Sequence, residues 1–236
     1  MKKQRLDKFI SNQLILSRSV VRTGIQRGLA LVNGSVVRDT AFGIDAQNDR
    51  IIYNGAEISY KEYVYILMNK PMGVLSASND KSRKTVVDLV PQEIKRQDLF
   101  PVGRLDKDTT GLLIITDDGV FAHNCISPKK AIEKGYIATL DGNIDNEMIE
   151  KFKSGVLLAD GTRCKPAKLE YISDNVARII ITEGKYHQIK RMFGTVGLGV
   201  NALHRESIGG LHLPDNLTEG ECIEMTKPQL ENSIFV

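Results

Sequence analysis

Cysteine is scarce in this chain, which has three cysteines among its 236 residues. Their number is odd and they lie far apart in the sequence, at Cys125, Cys164 and Cys222. This pattern has neither the paired framework of a disulfide-rich secreted protein nor the short spacings of a cysteine zinc site. We therefore expect small buried thiols, no metal site and a location in the reducing cytoplasm.

Long apolar runs are also missing from the sequence. No segment approaches the ~18 consecutive apolar residues that a membrane-spanning helix needs. The N-terminal stretch MKKQRLDKFISNQ lacks the apolar core of a secretory signal. With 42% hydrophobic residues, the chain can still build a large core in one sizeable domain or in two unequal ones. We expect a globular protein that makes no contact with a membrane.

A large net charge is absent, but the small excess of +3 is unevenly spread. Residues 1–60 contain nine Lys/Arg and five Asp/Glu, a net charge of +4, which leaves −1 for residues 61–236. A basic excess at one end is typical of a small module that binds a polyanion. A solvated basic surface would give the same distribution, so charge alone leaves both interpretations open.

The first sixty residues have the pattern of two short helices followed by a hairpin. Apolar residues recur at helical spacing in RLDKFISN, residues 5–12. A second helix is predicted in SRSVVRTGIQRG, residues 17–28, which begins at a serine cap and ends at a glycine. Arg18 and Arg22 share one face of this helix. Two β-rich runs then flank an Asn-Gly pair at residues 33–34, a strong hairpin signal.

The remainder of the chain mixes strand and helix signals without regular alternation. A junction is predicted at GAEISYKE, residues 55–62, so we divide the chain into residues 1–60 and residues 61–236. Strands are predicted at YVYILMN (63–69), LLIIT (112–116), YIATL (136–140), AKLEYI (167–172) and ARIIIT (177–182), and helices at NEMIEKFKSG (146–155) and YHQIKRMFGTVG (186–197). No glycine fingerprint opens a helix after a first strand. The pattern indicates an α+β fold with a mixed, largely antiparallel sheet.

The segment GRLDKDTTGLLIITDDG, residues 103–119, places Asp106 between two cations and just before an apolar strand. A surface turn would account for it. We reject a calcium loop, because a strand occupies its second half and the flanking helices are missing. An aspartyl-phosphate acceptor, D-x-D-x-T, remains a weaker alternative. That motif should follow a hydrophobic strand, and the segment before Asp106, FPVGRL, is interrupted by proline and glycine. A carboxylate kept anionic in a cleft also suits nucleophilic catalysis at a sugar or base carbon.

A second basic segment, EGKYHQIKRMF at residues 183–193, could supply the charge that keeps Asp106 ionised. In a helix, Tyr186 and Lys190 lie four residues apart and face one pocket. A cation over a buried carboxylate lowers its pKa and orients it. The histidines have no ligand spacing, and we interpret them as local hydrogen-bonding groups.

Five segments occur in the order found in pseudouridine synthases of the RsuA/RluB type, which the chain resembles. They are NKPMGVLSAS (69–78), GRLDKDTTGLLIITDDG, EKGYIATL (133–140), EGKYHQIKRMF and LHRESIGGLHL (203–213). The first sixty residues are similar to the αL-type RNA-binding module that this branch carries in front of its catalytic domain. The resemblance implies such a module, followed by a catalytic domain with a mixed, mainly antiparallel sheet.

The resemblance also implies residue roles. Asp106 matches the catalytic aspartate of the family, and Arg104 matches the motif arginine that helps to hold the flipped nucleotide. Tyr136 matches the tyrosine that packs on the target base. Lys190 matches the basic residue that pairs with the catalytic aspartate. Lys70 and the proline after it match a first motif with a structural role. Four arginines of the module are expected to contact RNA phosphates, which position the RNA without specifying its sequence: Arg5, Arg18, Arg22 and Arg27.

The implied reaction is the isomerisation of uridine to pseudouridine, in which a carbon–nitrogen bond breaks, the uracil turns and a carbon–carbon bond forms. It needs no metal and no cofactor. Base flipping costs a few kcal/mol, and stacking on an aromatic side chain returns ~1–3 kcal/mol.

The implied target is a specific uridine of 16S rRNA, the 516-type site. The implied substrate is a partly assembled small subunit, and the protein is expected to be a cytoplasmic monomer. Two alternatives stay open: a synthase for large-subunit 23S rRNA, and a non-catalytic RNA-binding assembly factor.

Overall fold

The computed structural model describes residues 3–235. They form two compact units, one made of residues 3–64 with Gln92–Asp98 and the other of Tyr65–Pro91 with residues 99–235. The change of unit therefore falls four residues after the division at residue 60, and a short later segment packs with the first unit. No helix among the described residues is long and apolar enough to cross a membrane.

The first unit contains two helices and two small antiparallel sheets. Its elements are β1 (Gln4–Arg5), α1 (Leu6–Leu14), α2 (Arg18–Gln26), β2 (Ala30–Val32), β3 (Ser35–Val37), β4 (Gly43–Ile44), β5 (Ile51–Tyr53) and β6 (Ala56–Glu57). Strand β1 pairs with β4, and the other sheet has the order β3-β2-β5-β6. The expected pair of helices and the hairpin are both present.

Local chemistry explains the helix ends and the hairpin of this unit. The Ser17 side chain accepts from the Val20 amide at the start of α2, and Gly28, with φ +83°, ends it. Asn33 and Gly34 have φ values of 50° and 84°, as a two-residue hairpin turn requires. Both helices bury their apolar faces against the sheet in one core that includes Leu6, Phe9, Ile10, Val21, Ile25 and Ile51.

The second unit is built on one mixed sheet. Its elements are β7 (Tyr65–Lys70), a 3-10 turn (Val86–Leu89), β8 (Phe100–Pro101), β9 (Thr109–Thr116), α3 (Gly119–Ile126), β10 (Lys134–Leu140), α4 (Asn146–Ser154), β11 (Lys168–Ser173), β12 (Val176–Ile181), α5 (Gln188–Gly194), β13 (Val200–Ile208), β14 (Leu211–His212), β15 (Cys222–Met225) and α6 (Lys227–Ile234). The strand order is β11-β12-β10-β13-β9-β7-β15, with β14 beside β13 and β8 beside β9.

The α+β prediction with a mainly antiparallel sheet is confirmed. The pairing of β13 with β9 is parallel, and the other strand pairs are antiparallel. Strands β7 and β9 are almost wholly buried, as their unbroken apolar runs predict. Helices α3 and α6 pack on these strands through Phe121 and Leu230. The sequence analysis did not identify α3, α6 or β13.

Candidate active site

Asp106 lies in the loop between β8 and β9, and the backbone on both sides of it is fixed. The Leu105 amide donates to Ser76 Oγ over 3.1 Å, and the Ser76 hydroxyl donates to the Leu105 carbonyl over 2.9 Å. The Thr109 amide donates to the Asp106 carbonyl over 3.1 Å. The carboxyl group of Asp106 is therefore presented from a rigid turn, with about 30% of its side chain exposed.

A buried lysine supports the same loop through hydrogen bonds to its carbonyl groups. Lys70, at the end of β7, is fully buried, and its ammonium donates to the carbonyls of Pro71 (3.1 Å), Lys107 (3.3 Å) and Thr109 (2.8 Å). Burial lowers the pKa of Lys70 to about 8, and the negative charges of Asp108 and Asp106 oppose this shift. The ammonium thus replaces the water that these loop carbonyls would otherwise bind.

The loop also approaches β13 closely, and Gly111 makes this approach possible. In the parallel pairing of β9 with β13, Gly111 lies beside Arg205. A Cβ atom at Gly111 would come within 2.3 Å of the Arg205 carbonyl oxygen, and the φ of +103° is one that side chains other than glycine rarely adopt. The glycine therefore allows the backbones of β9 and β13 to lie this close together.

One small pocket brings the predicted catalytic residues together. It has a volume of about 60 Å³, and the residues that line it include Arg104, Asp106, Tyr136 and Lys190. Arg104 is exposed at the rim, whereas Tyr136, on β10, is 7% exposed. The four residues come from three separate segments of the sequence, and the folding of β10 and α5 around the loop brings them together. Their chemical roles remain predictions.

The expected pair of Lys190 with Asp106 is wrong in this structure. The Lys190 ammonium instead donates to both carboxylate oxygens of Asp108, each over 2.6 Å, and this bond lowers the pKa of Asp108. The two aspartates stand two residues apart on the same turn, and each meets a different side chain at the start of α5. The side chain that reaches Asp106 is that of His187, whose Nε2 lies 3.4 Å from Oδ1.

Tyr186 does not line the pocket, contrary to the prediction from helical spacing. Helix α5 begins only at Gln188, so the four-residue rule does not apply to Tyr186. His187 adopts a left-handed conformation with φ 46°, which turns its ring toward the pocket. Tyr186 is 75% exposed and stacks on the His187 ring at 3.9 Å. The sequence predicted only a local hydrogen-bonding role for His187, and its place beside Asp106 was not expected.

Thr109 is a second pocket residue that the sequence analysis missed. It is 1% exposed and lines the pocket beside Asp106. Its hydroxyl is buried without a hydrogen-bond partner among residues 3–235. Such an unsatisfied group is uncommon in folded proteins, and here it lies where a bound molecule could supply the partner.

In the first unit, three of the four predicted RNA-binding arginines meet at one carboxylate. Asp7 is fully buried and accepts bonds from Arg5 (3.0 Å), Arg18 (3.1 Å) and Arg22 (2.8 Å). The three guanidinium groups, Arg5 first, hold the pKa of Asp7 far below its ordinary value. Each arginine side chain stays 48–49% exposed, so the cluster presents fixed donors to the solvent with a net charge of +2.

Arg27 does not belong to this cluster. It lines a separate depression of about 480 Å³ with Val20, Leu29 and Tyr53. Arg18 and Arg22 lie one turn apart on α2, whereas Arg27 is the residue that caps its C-terminal end. The four arginines were predicted as one RNA-binding set, and the structure places three of them together and one apart.

Replacing Asp7 by asparagine is expected to lower the free energy of unfolding by about 1–3 kcal/mol at pH 7, because three guanidinium groups lose their shared acceptor. The pKa of Asp7 is lowered from 3.8 on folding. Its stabilisation is therefore complete above that value and is lost as the pH falls below it. Urea unfolding of both proteins at pH 7 and pH 3 measures this difference. Glu62→Gln, at an exposed acid of the same unit, serves as control, and a difference that does not shrink in acid would contradict the account.

The described residues contain no group of three or more His, Cys, Asp or Glu that could hold a metal ion. The thiols of Cys125 and Cys164 are buried, and Cys222 is partly buried. Burial raises the pKa of Cys125 to about 12 and that of Cys222 to about 11. These thiols are therefore neutral near pH 7 and are poor nucleophiles.

Comparison with known families gives matches in both units. A family model described as RNA pseudouridylate synthase matches residues 64–195. A model described as S4 domain matches residues 4–51. The first match contains the pocket residues Arg104, Asp106, Tyr136 and Lys190, and the second contains the cluster around Asp7.

Individual proteins are similar over nearly the whole chain. An uncharacterized RNA pseudouridine synthase of Bacillus subtilis, YtzG, is 40% identical over 96% of this chain and 96% of its own length. Ribosomal small subunit pseudouridine synthase A of Escherichia coli K12 is 38% identical over 98% of this chain and 100% of its own. A crystal structure of a pseudouridylate synthase superposes with a TM-score of 0.67 at 34% identity, covering 98% of this chain and 99% of the other.

Proposed function

Because the chain belongs to the RNA pseudouridylate synthase family, we propose that it isomerises a specific uridine of 16S rRNA, the 516-type site, with Asp106 as the catalytic carboxylate. The chain is a pseudouridine synthase of the RsuA type that acts on rRNA, an isomerase with an S4 domain.

The observation that supports the small-subunit target is the similarity to the Escherichia coli enzyme. That relative is named for the ribosomal small subunit, and the match includes all of its length and both units of this chain. We extend its substrate class to this chain. In this proposal the protein works as a cytoplasmic monomer on a small-subunit assembly intermediate, where folded rRNA presents the target uridine.

Asp106 is proposed as the reacting group because it is the carboxylate that lines the pocket with Tyr136. Tyr136 would stack on the flipped uracil and return part of the energy of unstacking. Arg104, exposed at the rim, would hold the flipped nucleotide. The carboxylate would attack the sugar or the base, or remove a sugar proton.

The volume of the pocket implies movement during binding. About 60 Å³ is well below the ~300 Å³ of pockets that bind small molecules. The Asp106 turn is held by Ser76 and Lys70, so we propose that the rim residues move instead. The side chains of His187 and Lys190 meet the turn only at the carboxylates of Asp106 and Asp108, so these side chains can turn away while their backbone stays in place. Before this movement, Lys190 supports the loop through its bonds to Asp108.

The experiment that tests the target is to map the modified nucleotide. The protein is incubated with small-subunit particles and, separately, with large-subunit rRNA, both lacking the modification. Pseudouridine is then located by carbodiimide-dependent stops of reverse transcription. We expect one new stop, in the small-subunit rRNA. A stop in the large-subunit rRNA alone would keep the reaction and refute the proposed target.

Thr109→Val should separate stability from turnover. The substitution keeps the shape of the side chain and removes a buried hydroxyl that has no partner, so the free energy of unfolding should stay equal or rise by up to about 1 kcal/mol. If the bound nucleotide bonds this hydroxyl, kcat/KM should fall about tenfold. Thr109→Ser keeps the hydroxyl and should retain most of the activity. Wild-type kcat/KM in the valine variant would show that the hydroxyl takes no part.

A further inference from the structure

A second cavity, of about 370 Å³, adjoins the pocket of Asp106. Arg104 and Tyr136 line both spaces, so they form the boundary between them. Lys134 and Arg205 line only the second cavity, at the same face of the sheet as Tyr136. Its volume lies within the range of ~300–1,000 Å³ that is typical of ligand sites.

Two cations that line this cavity, the buried Arg205 and the partly buried Lys134, have no carboxylate partner among residues 3–235. Arg205 is 3% exposed and lies opposite Tyr136 in the sheet register. Its Nε donates to the Leu112 carbonyl over 2.7 Å, whereas its Nη2 has no hydrogen-bond partner among residues 3–235. Lys134 lies two residues before Tyr136 on β10, and its ammonium donates to the Ile132 carbonyl over 2.9 Å.

The surroundings do not neutralise these charges. Burial lowers the pKa of Lys134, and the nearby charge of Arg205 lowers it further. The acid that lines the cavity, Glu183, already bonds Lys185, the Gln188 amide at 2.8 Å and the Lys165 backbone amide at 3.0 Å. The cavity therefore has an unbalanced positive charge, which favours an anion.

The remaining walls are suited to a flat apolar group attached to that anion. Val102, Ile126 and Ile208 line the cavity beside the Tyr136 ring. A site with apolar walls and a few convergent donors recognises a molecule that carries both features. A nucleotide has a base that packs on apolar and aromatic side chains, and a phosphate that accepts from arginine and lysine.

We propose that this cavity binds the nucleotide next to the target uridine, with its phosphate bonded by Lys134 and Arg205. The proposal rests on the proposed function, because the RNA strand must pass from the Asp106 pocket across Arg104 and Tyr136. It adds a second recognised position on the RNA. Specificity for the target would then depend on a neighbouring nucleotide as well as on the flipped base.

The test uses an RNA stem-loop that contains the proposed 16S target uridine. Fluorescence anisotropy measures its affinity for wild type, Lys134→Gln and Arg205→Gln. Single methylphosphonate linkages, which are uncharged, replace in turn each phosphate within two nucleotides of the uridine. Lys134→Arg keeps the charge, and Lys153→Gln, an exposed lysine of α4, is the matched control. Thermal melting confirms that each variant is folded. If Arg205→Gln does not fold, the result for Lys134→Gln decides the test.

We expect Lys134→Gln to weaken binding about tenfold, with a salt slope smaller by about one, and Lys134→Arg and Lys153→Gln to bind as wild type does. One of the methylphosphonate linkages should weaken RNA binding by wild type by a similar factor and leave RNA binding by Lys134→Gln unchanged. Equal effects at every linkage in both proteins, or unchanged affinity of Lys134→Gln, would overturn the proposal. In another contrary result, inorganic phosphate competes with the RNA in wild type but not in Lys134→Gln, while no single methylphosphonate changes the affinity. That result would show an anion site that does not bind the RNA, and it would overturn the assignment to RNA. Turnover of wild type, measured separately, reports on the proposed function itself.

Discussion

Asp106→Asn is expected to reduce pseudouridine formation by ~10³-fold or more while the affinity for RNA stays within about twofold of wild type. The amide has the shape of the carboxylate but neither its charge nor its nucleophilicity. Little stability should be lost, because the turn is held by backbone bonds to Ser76 and by Lys70. Single-turnover assays and equilibrium binding on the same RNA measure the two quantities separately.

The matched control is Asp108→Asn, two residues further along the same turn. Asp108 bonds Lys190 and is mostly exposed, so its loss should cost about tenfold in turnover through a looser loop. If Asp108→Asn were the inactive variant and Asp106→Asn retained turnover, the assignment of the two carboxylates would be reversed. If wild type and Asp106→Asn turned the RNA over equally, Asp106 would not be the catalytic carboxylate; binding without turnover by either protein would favour the non-catalytic RNA-binding alternative.

Lys70→Met is expected to have the largest effect on stability, a loss of about 2–4 kcal/mol at pH 7, together with at least tenfold slower turnover. Methionine fills a similar volume but leaves three loop carbonyls without a donor. The loop that carries Asp106 would then lose its support from β7. Urea unfolding measures the first effect and single-turnover kinetics the second. Lys107→Met, at an exposed lysine of the same loop, should change neither by much.

The stabilisation by Lys70 should also depend on pH. Folding lowers its pKa from 10.5 to about 8. Between these values the unfolded chain binds a proton that the folded protein does not, so the stability of the wild type rises with pH in this window. Relative to Lys70→Met, the wild type should gain about 1–2 kcal/mol between pH 7.5 and pH 9.5. A constant difference over this range would show that Lys70 keeps its ordinary pKa.

Elements with a clear periodicity could be predicted from the sequence. Strands β7 and β9 are continuous apolar runs that the sheet buries on both faces. Strand β13 was missed because its sequence, VNALHRESI, has Arg205 at a buried position. A charged residue in a sequence normally indicates a position that faces the solvent. Helix α3 was missed because its eight residues follow directly from the DDG turn and are too few to show a period.

Part of the pocket lining could be predicted from the sequence, but the hydrogen bonds within the pocket could not. The resemblance named Arg104, Asp106, Tyr136 and Lys190, and all four line one pocket. Which aspartate bonds Lys190 depends on where α5 begins and on how the turn directs two carboxylates two residues apart. Neither follows from spacing, because the φ of 46° at His187 interrupts the helix pattern.

The arginine cluster shows the same limit in the first unit. Helical spacing correctly placed Arg18 and Arg22 on one face of α2, but it gave no reason to single out Asp7. The carboxylate belongs to another helix, and its burial depends on the packing of α1 against α2. A signal was present in RLDK, where Arg5 precedes an acid that lies next to the apolar Leu6.

The most direct test of the central claim is the release of tritium from uridine labelled at carbon 5, since this hydrogen is lost when the base is re-attached through that carbon. Small-subunit particles that lack the modification are incubated with wild type or with Asp106→Asn. The account predicts release of one tritium per particle by the wild type and none above background by the variant. Equal release by both proteins, or none by the wild type despite tight binding, would contradict the assignment of Asp106 as the catalytic carboxylate.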